Sequence, residues 1–344
     1  MAATIPRGPG TLWCLEVAIG PEQPHSSLIM CGIAGVIYKQ PGRTGEALHK
    51  MLGGCQHRGP DSTGLAVYGP DPGEELILRI FVAADLSREA ADWEQRETAV
   101  ANVLASQGFT ISSVWRDRAQ MRISGTFSGD IQRLSYAVEE LPGVEIFSLG
   151  HSLEILKDEG TADELEARFG CDAFVGYHGI GHVRLATESD VNPSTAHPFW
   201  AYGFDDVAIV HNGQITNYFK LKRRLEQRGF RFRTQNDSEV IAVYLADKMA
   251  SGTSMEEALE QSLVELDGTF SFLVSTPEGI GFAKDPIGAK PMVVCETEDV
   301  VAIASEEVSL RNLFGQRDIE TFEPFPGTSY TWSKSTLATS ASAK

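Results

Sequence analysis

The stretch LIMCGIAGVIYKQ occupies residues 28–40 and places a Met–Cys pair directly before a short apolar run. The run IAGVIY predicts a β-strand, so Cys31 would lie where that strand begins. A cysteine in an apolar run is most often a small buried hydrophobe. If Cys31 is instead a nucleophile that uses its own backbone amine, no residue can remain in front of it. The rest of the sequence has to decide between these two interpretations.

The composition of the 344-residue chain excludes several kinds of protein. The formal net charge of −18 argues against nucleic acid, because phosphate binding needs a basic face, and against docking on an anionic membrane. No apolar run approaches the roughly 20 residues that span a bilayer. The five cysteines are scattered and odd in number, and no CxxC pair indicates zinc. We therefore expect a soluble, cytoplasmic protein without a metal site.

The first 30 residues differ from the rest of the chain. Their apolar stretch is interrupted by Glu16, only Arg7 precedes it, and four prolines oppose a stable helix. A secretory signal is therefore a poor interpretation. We expect residues 1–30 to be a leader that is removed or disordered, or to result from a start assigned upstream of the true one.

After Cys31 the sequence pattern becomes regular. Residues 45–55 carry apolar side chains at i, i+3, i+4 and i+7, which predicts a helix with one packed face. The segment 73–151 has the predicted order strand, helix, strand, strand, helix, strand, which is typical of a small split-βαβ sandwich. Residues 331–344 are rich in Ser, Thr and Ala and predict a flexible tail.

Five short motifs follow one another along the chain, and each is weak alone. Asn212-Gly213 is the commonest tight-turn pair, and Asn236 could simply cap a helix that has a Glu three positions on. Arg184 within a strand pattern is most often a surface salt-bridge partner. The motifs are Met30-Cys31-Gly32-Ile33, His57-Arg58-Gly59-Pro60-Asp61, Gly181-His182-Val183-Arg184-Leu185-Ala186-Thr187, His211-Asn212-Gly213 and Asn236-Asp237-Ser238-Glu239-Val240.

Together, the five motifs resemble the class II glutamine amidotransferases, whose glutaminase domain is an N-terminal-nucleophile hydrolase. The resemblance spans residues 31–330 and is broken only by the segment 73–151, which shorter relatives lack. It implies an α+β fold, a four-layer αββα sandwich of the N-terminal-nucleophile hydrolase type with an inserted small α+β unit. We expect this unit to contact a partner rather than the substrate, so that its deletion would spare glutamine hydrolysis.

The chemistry of that family explains why a terminal cysteine is needed. A free α-amine has an unperturbed pKa of roughly 7.7–8.0 and can take the thiol proton directly or through a water. No separate catalytic histidine is then required. The resemblance implies that Asn212 and Gly213 hold the negative oxygen that forms when Cys31 attacks the glutamine carboxamide. Arg58 and Asp61 would form the loop near the nucleophile.

Recognition of L-glutamine needs two further charges. By motif match, Arg184 would offer its planar fork to the α-carboxylate, and Asp237 would pair with the α-ammonium. Thr187 and His211 are weaker candidates for the same pocket. The sequence departs from many relatives after Arg184, where they have an aromatic residue followed by Ala-Thr-His-Gly and this chain has Leu-Ala-Thr-Glu-Ser.

The acceptor of ammonia is expected on another polypeptide, since no synthetase, phosphoribosyltransferase or sugar-isomerase domain follows residue 330. The resemblance implies synthase subunits in trans, of the glutamate synthase or N-methylglutamate synthase type. It implies no cofactor in this chain, with FMN and iron–sulfur groups on the partner subunits. Two alternatives stay open: a hydrolase that acts alone on another γ-glutamyl amide, and a non-catalytic subunit that keeps the fold to bind or regulate a partner.

Overall fold

The computed structural model describes residues 31–70, 73–83, 93–186 and 191–339, so the predictions for residues 1–30 and for Thr187 lie outside the described residues. The strands are β1 Gly32–Gly42, β2 Ser62–Tyr68, β3 Leu76–Phe81, β4 Thr110–Asp117, β5 Gln120–Thr126, β6 Glu145–Gly150, β7 Leu153–Glu159, β8 Gly176–Arg184, β9 Phe199–Trp200, β10 Ala208–Ile215, β11 Gly268–Thr276, β12 Gly279–Lys284, β13 Val293–Glu296, β14 Val300–Ala304 and β15 Ser329–Ser333. The helices are α1 Thr44–Gly54, α2 Trp93–Ser106, α3 Ile131–Glu139, α4 Ala162–Phe169, α5 Tyr218–Gln227, α6 Asp237–Ala250, α7 Met255–Glu265, α8 Glu307–Phe314 and α9 Lys334–Thr339. Within these described ranges, no helix is both long enough and apolar enough to cross a membrane.

Strand β1 shows why two sheets stack in this fold. Successive side chains of a strand point to opposite faces. Ile33 and Ile37 join the core between the two large sheets, whereas Ala34 and Val36 join a second core beneath helix α1. Because both faces of β1 are apolar, the strand lies inside a six-stranded sheet of order β13-β14-β1-β8-β2-β7.

The second large sheet has the order β15-β12-β11-β10-β9. Helices α6 and α7 pack against its strands β10 and β12, while α1 and α8 pack against β1, β8 and β14 of the first sheet. The layers are therefore helix, sheet, sheet and helix. This arrangement confirms the predicted four-layer αββα sandwich, and α1 buries Leu48, Met51 and Leu52 as the apolar spacing predicts.

The inserted α+β unit contains β3, α2, β4, β5, α3 and β6 in that order, and its antiparallel sheet has the order β4-β5-β3-β6. Its core is not separate from the sandwich. Leu78, Val100 and Phe147 of the unit belong to the same buried cluster as Phe199 and Phe272 of the second large sheet. Removing the unit would therefore expose that shared apolar surface. That deletion spares glutamine hydrolysis stays a prediction.

The segment after residue 330 contains regular structure. Strand β15 pairs with β12, with Trp332 opposite Ile280, and helix α9 follows directly. Trp332 and Leu337 are buried. These two apolar side chains hold a segment of otherwise polar composition against the sheet as far as Leu337. The flexibility of residues 331–344 stays a prediction. Residues 340–344 lie outside the described part of the chain.

Candidate active site

A cavity of about 630 Å³ lies where strands β8 and β10 meet the start of helix α6. This volume is in the range of small-molecule sites. The sequence-predicted site residues that line it are Cys31, Arg184, His211, Asn212, Gly213 and Asp237. The structure therefore brings together residues from four separate motifs, and Thr187 is the one predicted site residue that it does not describe.

Cys31 is partly buried and directly precedes the first residue of β1. Its Sγ is 3.9 Å from the carbonyl oxygen of Leu185. Its own carbonyl oxygen accepts two hydrogen bonds, from Asn212 Nδ2 at 2.9 Å and from Arg58 Nε at 3.1 Å. The backbone of the cysteine is thus fixed by two side chains, and the thiol faces the cavity wall formed by the end of β8.

The loop between α1 and β2 supports this corner of the site. Arg58 is 8% exposed and forms an ion pair with Glu306, at the start of α8. The Asp61 carboxylate accepts a hydrogen bond from Ala186 N at 2.7 Å, and Asp61 N donates to the Arg184 carbonyl at 3.1 Å. Both side chains therefore hold the loop and the end of β8 close to the nucleophile.

The Asn212-Gly213 pair belongs to a strand, which makes its interpretation as a tight turn wrong. In β10, Gly213 lies opposite Phe270 of β11. Its φ of +138° is rare for residues with a side chain, and a Cβ there would lie 2.0 Å from the carbonyl oxygen of Thr269. Only glycine therefore fits next to Asn212, whose side chain reaches across to the Cys31 backbone.

The cavity carries one cationic and one anionic side chain. Burial lowers the pKa of the Arg184 guanidinium, while Cys31 and Asp61 nearby act in the opposite direction. Burial also tends to raise the pKa of Asp237, but attraction to His211 and the hydrogen bonds that the carboxylate accepts outweigh it, so this pKa lies below its ordinary value. A small zwitterion would find a partner for each of its charges here.

Comparison with known proteins identifies the family of the chain. The family model described as a glutamine amidotransferase domain matches residues 182–312. A protein of Methanothermobacter thermautotrophicus that is assigned as a glutamine amidotransferase is 40% identical over 298 residues, covering 86% of this chain and 97% of that protein. The glutamine amidotransferase-like protein GlxB of Rhizobium meliloti is 39% identical over 307 residues, covering 88% and 98% respectively. The chain belongs to the class II glutamine amidotransferases.

Solved structures show the fold of this amidotransferase in larger proteins. The phosphoribosylpyrophosphate amidotransferase of B. subtilis, complexed with ADP and GMP, superposes with a TM-score of 0.54 at 19% identity. The match covers 88% of this chain and 49% of that chain, so the amidotransferase spans about half of the larger structure. At this identity the likeness concerns the fold alone.

Two buried imidazoles next to His211, those of His182 and His197, were not anticipated from the sequence of the amidotransferase. His197 Nε2 and His211 Nδ1 lie 2.8 and 3.0 Å from the same atom, Ser238 Oγ. The His182 ring stacks on His197 with 4.2 Å between centroids. Burial lowers the pKa of His182 to about 3 and that of His197 well below its ordinary value. Ser238 belongs to the same motif as Asp237, whereas His197 lies in none of the five motifs.

One group of side chains in the described part of this amidotransferase has the spacing of a metal site. The potential ligand atoms of His49, Glu166 and Asp172 lie within 4.8 Å of one another. Both ring nitrogens of His49 are already engaged, Nδ1 by Asp172 at 2.9 Å and Nε2 by Asp163 at 2.8 Å. None of these residues lines the cavity, so the group takes no part in the candidate active site.

Proposed function

We propose that this chain is a glutaminase subunit that hydrolyses L-glutamine to glutamate and ammonia through a thioester on Cys31. The observation that carries the proposal is the meeting of a thiol, an Asn-Gly pair and two opposite charges around one cavity. The thiol would supply the nucleophile, the Asn-Gly pair would stabilise the negative oxygen, and the two charges would bind the charged groups of the substrate. The relatives described as glutamine amidotransferases support the same assignment.

In the proposed reaction the α-amine of Cys31 takes the thiol proton, and the sulfur attacks the carboxamide carbon of glutamine. The negative oxygen that forms is stabilised by the Asn212 side-chain amide and the Gly213 N–H, each such donor being worth about 3–4 kcal/mol of barrier. The C–N bond then breaks, and ammonia leaves with the proton held by the α-amine. Water cleaves the thioester, which releases glutamate and restores the thiol.

The selectivity of the site would come from the two charged side chains. Arg184 would bind the α-carboxylate of glutamine as a planar fork. Asp237, whose lowered pKa keeps it ionised, would bind the α-ammonium. These contacts lie at the far end of the substrate from the carboxamide, so they would serve binding and orientation rather than bond cleavage.

We further propose that ammonia passes to a separate cytoplasmic synthase, of the glutamate synthase or N-methylglutamate synthase type. FMN and iron–sulfur groups would reside on that partner. The two relatives are matched over 97% and 98% of their own lengths, so proteins of this size recur without a fused acceptor domain. Co-purification of the tagged chain with identification of bound proteins tests this assignment. Recovery of the chain without a flavin- or iron–sulfur-containing partner would contradict it.

The mechanism is tested at the chain terminus. Three versions should be compared: the full chain, a chain that starts at Met30, and the Met30 start with Cys31→Ser. The Met30 version should carry Cys31 as its measured N-terminus, because a small residue directly after the methionine favours its removal, and it should release ammonia from glutamine. The Cys31→Ser version should fold and lose nearly all turnover, since a hydroxyl is a far poorer nucleophile near neutral pH. Full activity from a chain that still carries residues 1–30 would break the mechanism, because a peptide nitrogen cannot act as the base.

A further inference from the structure

The loop that leads into Asp237 is organised by a buried carboxylate. Glu239, which is fully buried, accepts hydrogen bonds from Arg233 N at 2.9 Å, Thr234 N at 2.9 Å and Thr234 Oγ1 at 2.7 Å. Thr234 Oγ1 in turn accepts from Asn236 N at 3.1 Å. These bonds connect Arg233 to the residue that caps helix α6, immediately before Asp237.

The side chain of Arg233 leaves this loop and enters the inserted unit. Its Nη1 donates to the Ile146 carbonyl at 2.7 Å and forms ion pairs with Glu145 at 2.8 Å and Glu139 at 3.1 Å. The guanidinium is 10% exposed, and the carboxylates of Glu139 and Glu145 are 6% and 9% exposed. Desolvating such charges is expensive, and the ion pairs offset that penalty only in good geometry. The position of Arg233 is therefore determined by the inserted unit.

Arg233 does not line the cavity, whereas Asp237 does. Asp237 is held on its other side by Ile215 N, which donates to its carboxylate at 3.0 Å, and by His211 Nδ1 at 3.5 Å. The carboxylate thus lies between a strand of the second large sheet and a loop that is anchored in the inserted unit. A shift of Arg233 would be transmitted to Asp237 through a few hydrogen-bonded residues.

We propose that Arg233 is a positioning residue for Asp237, and that through it the inserted unit sets the affinity of the site for the α-ammonium group of the substrate. The proposal rests on the proposed function, since it takes glutamine as the substrate. It assigns the inserted unit a role in recognition of the amino-acid end, although none of the unit's described residues, 73–83 and 93–151, lines the cavity.

The proposal predicts that KM changes while kcat does not, and that only ligands with an ammonium group are affected. A general loosening of the structure would not produce this pattern. The ammonium contact is remote from the reacting carboxamide, so it is equally strong in the ground and transition states. Weakening such uniform binding raises KM and leaves kcat nearly unchanged. A ligand without the ammonium group should not sense the change at all.

The test uses Arg233→Lys and Glu145→Gln in the chain that starts at Met30. Arg233→Lys keeps the charge but replaces the fork with a point charge, and Glu145→Gln leaves Glu139 and Glu239 to hold the arginine. KM is measured for glutamine, and the inhibition constant KI is measured for 4-carbamoylbutanoate, which is glutamine without its α-ammonium. The matched control is Arg231→Lys, the same change at an exposed arginine of the same loop, with a side chain that is 60% exposed.

We expect Arg233→Lys to raise KM for glutamine about tenfold and Glu145→Gln to raise it less, with kcat changed by less than about twofold. The KI of 4-carbamoylbutanoate should be the same in the parent, both variants and the control. Equal increases in KM and KI, or no increase in either variant, would overturn the positioning role while leaving the proposed function intact. A parent chain with Cys31 at its N-terminus that does not hydrolyse glutamine would overturn the proposed function, and this inference with it.

Discussion

Glu139, in the inserted unit, allows a prediction about stability that needs no substrate. Burial raises the pKa of its carboxyl to about 7, from an ordinary value of 4.5. Arg233, the Ile146 N–H and the Tyr202 hydroxyl act in the opposite direction, and the neighbouring Glu145 adds to the increase. Burial wins because the side chain is only 6% exposed.

The sign of the effect follows from proton binding. Between pH 4.5 and about 7, the folded chain holds a proton on Glu139 that the unfolded chain has released. The free energy of unfolding therefore falls as the pH rises through this window. At about 1.4 kcal/mol for each pH unit between the two pKa values, the interval corresponds to about 3 kcal/mol. Below pH 4.5 this contribution is fully present, and above about pH 7 it is lost.

The change to make is Glu139→Gln, which replaces the carboxyl by a neutral group of the same shape. Urea denaturation at constant ionic strength should be followed from pH 5 to pH 8 for the parent, for Glu139→Gln and for Glu140→Gln. Glu140 is the adjacent residue, with a side chain that is 72% exposed, and serves as the control. Subtracting the Glu139→Gln curve from the parent curve should leave a decline of roughly 2–3 kcal/mol, because part of the window lies below pH 5. Parallel curves for these two chains would refute the assignment of a raised pKa to Glu139.

Three further predictions concern the cavity and the packing of α1. Arg184→Lys should raise KM for glutamine about 10- to 100-fold with little change in kcat, because a charge-assisted fork worth roughly 1.5–3 kcal/mol becomes a point charge; an unchanged KM would remove Arg184 from the pocket. Asn212→Ala should lower kcat about 10²- to 10³-fold in single-turnover assays, and an unchanged kcat would exclude an oxyanion role. Gly45→Ala should destabilise the chain by about 2 kcal/mol in urea, since its Cβ would lie 1.7 Å from the Cys171 carbonyl oxygen. Gly53→Ala, in the same helix with nothing within 4 Å, should stabilise it by roughly 0.5–1 kcal/mol, and destabilisation of similar size by both changes would contradict the steric argument.

The parts of the fold that could be predicted are those fixed by local pattern. The apolar spacing of 45–55 specified a helix because only one of its faces is buried. The segment 73–151 predicted the order strand, helix, strand, strand, helix, strand, and the structure has it as β3, α2, β4, β5, α3 and β6. The order of the five motifs gave the family, and the structure collects residues from four of them around the cavity.

Other features needed the three-dimensional structure because they depend on contacts between distant segments. His197 lines the cavity beside Ser238, although it lies 41 residues before Ser238 in the sequence. The Asn-Gly pair alone suggests a turn, because this pair is common in tight turns. Its place in a strand depends on pairing with β11, which begins more than 50 residues later in the sequence. Helices α4 and α7, by contrast, carry capping boxes at Thr161 and Ser254 and were predictable from local sequence.

The two boundaries within the molecule are built differently. The two large sheets meet through apolar side chains such as Ile33 and Phe272. The inserted unit shares that apolar core. In addition, Arg79 Nε and Arg122 Nε of the unit donate hydrogen bonds to the carboxylate of Glu154, at the edge of the first sheet, at 2.8 and 2.9 Å. Apolar contacts stabilise many orientations almost equally, whereas buried ion pairs stabilise only those in which every charge finds its partner. The inserted unit is therefore fixed in orientation as well as attached, which is the property that a unit needs if it is to hold Arg233, and through it the start of α6, in one place.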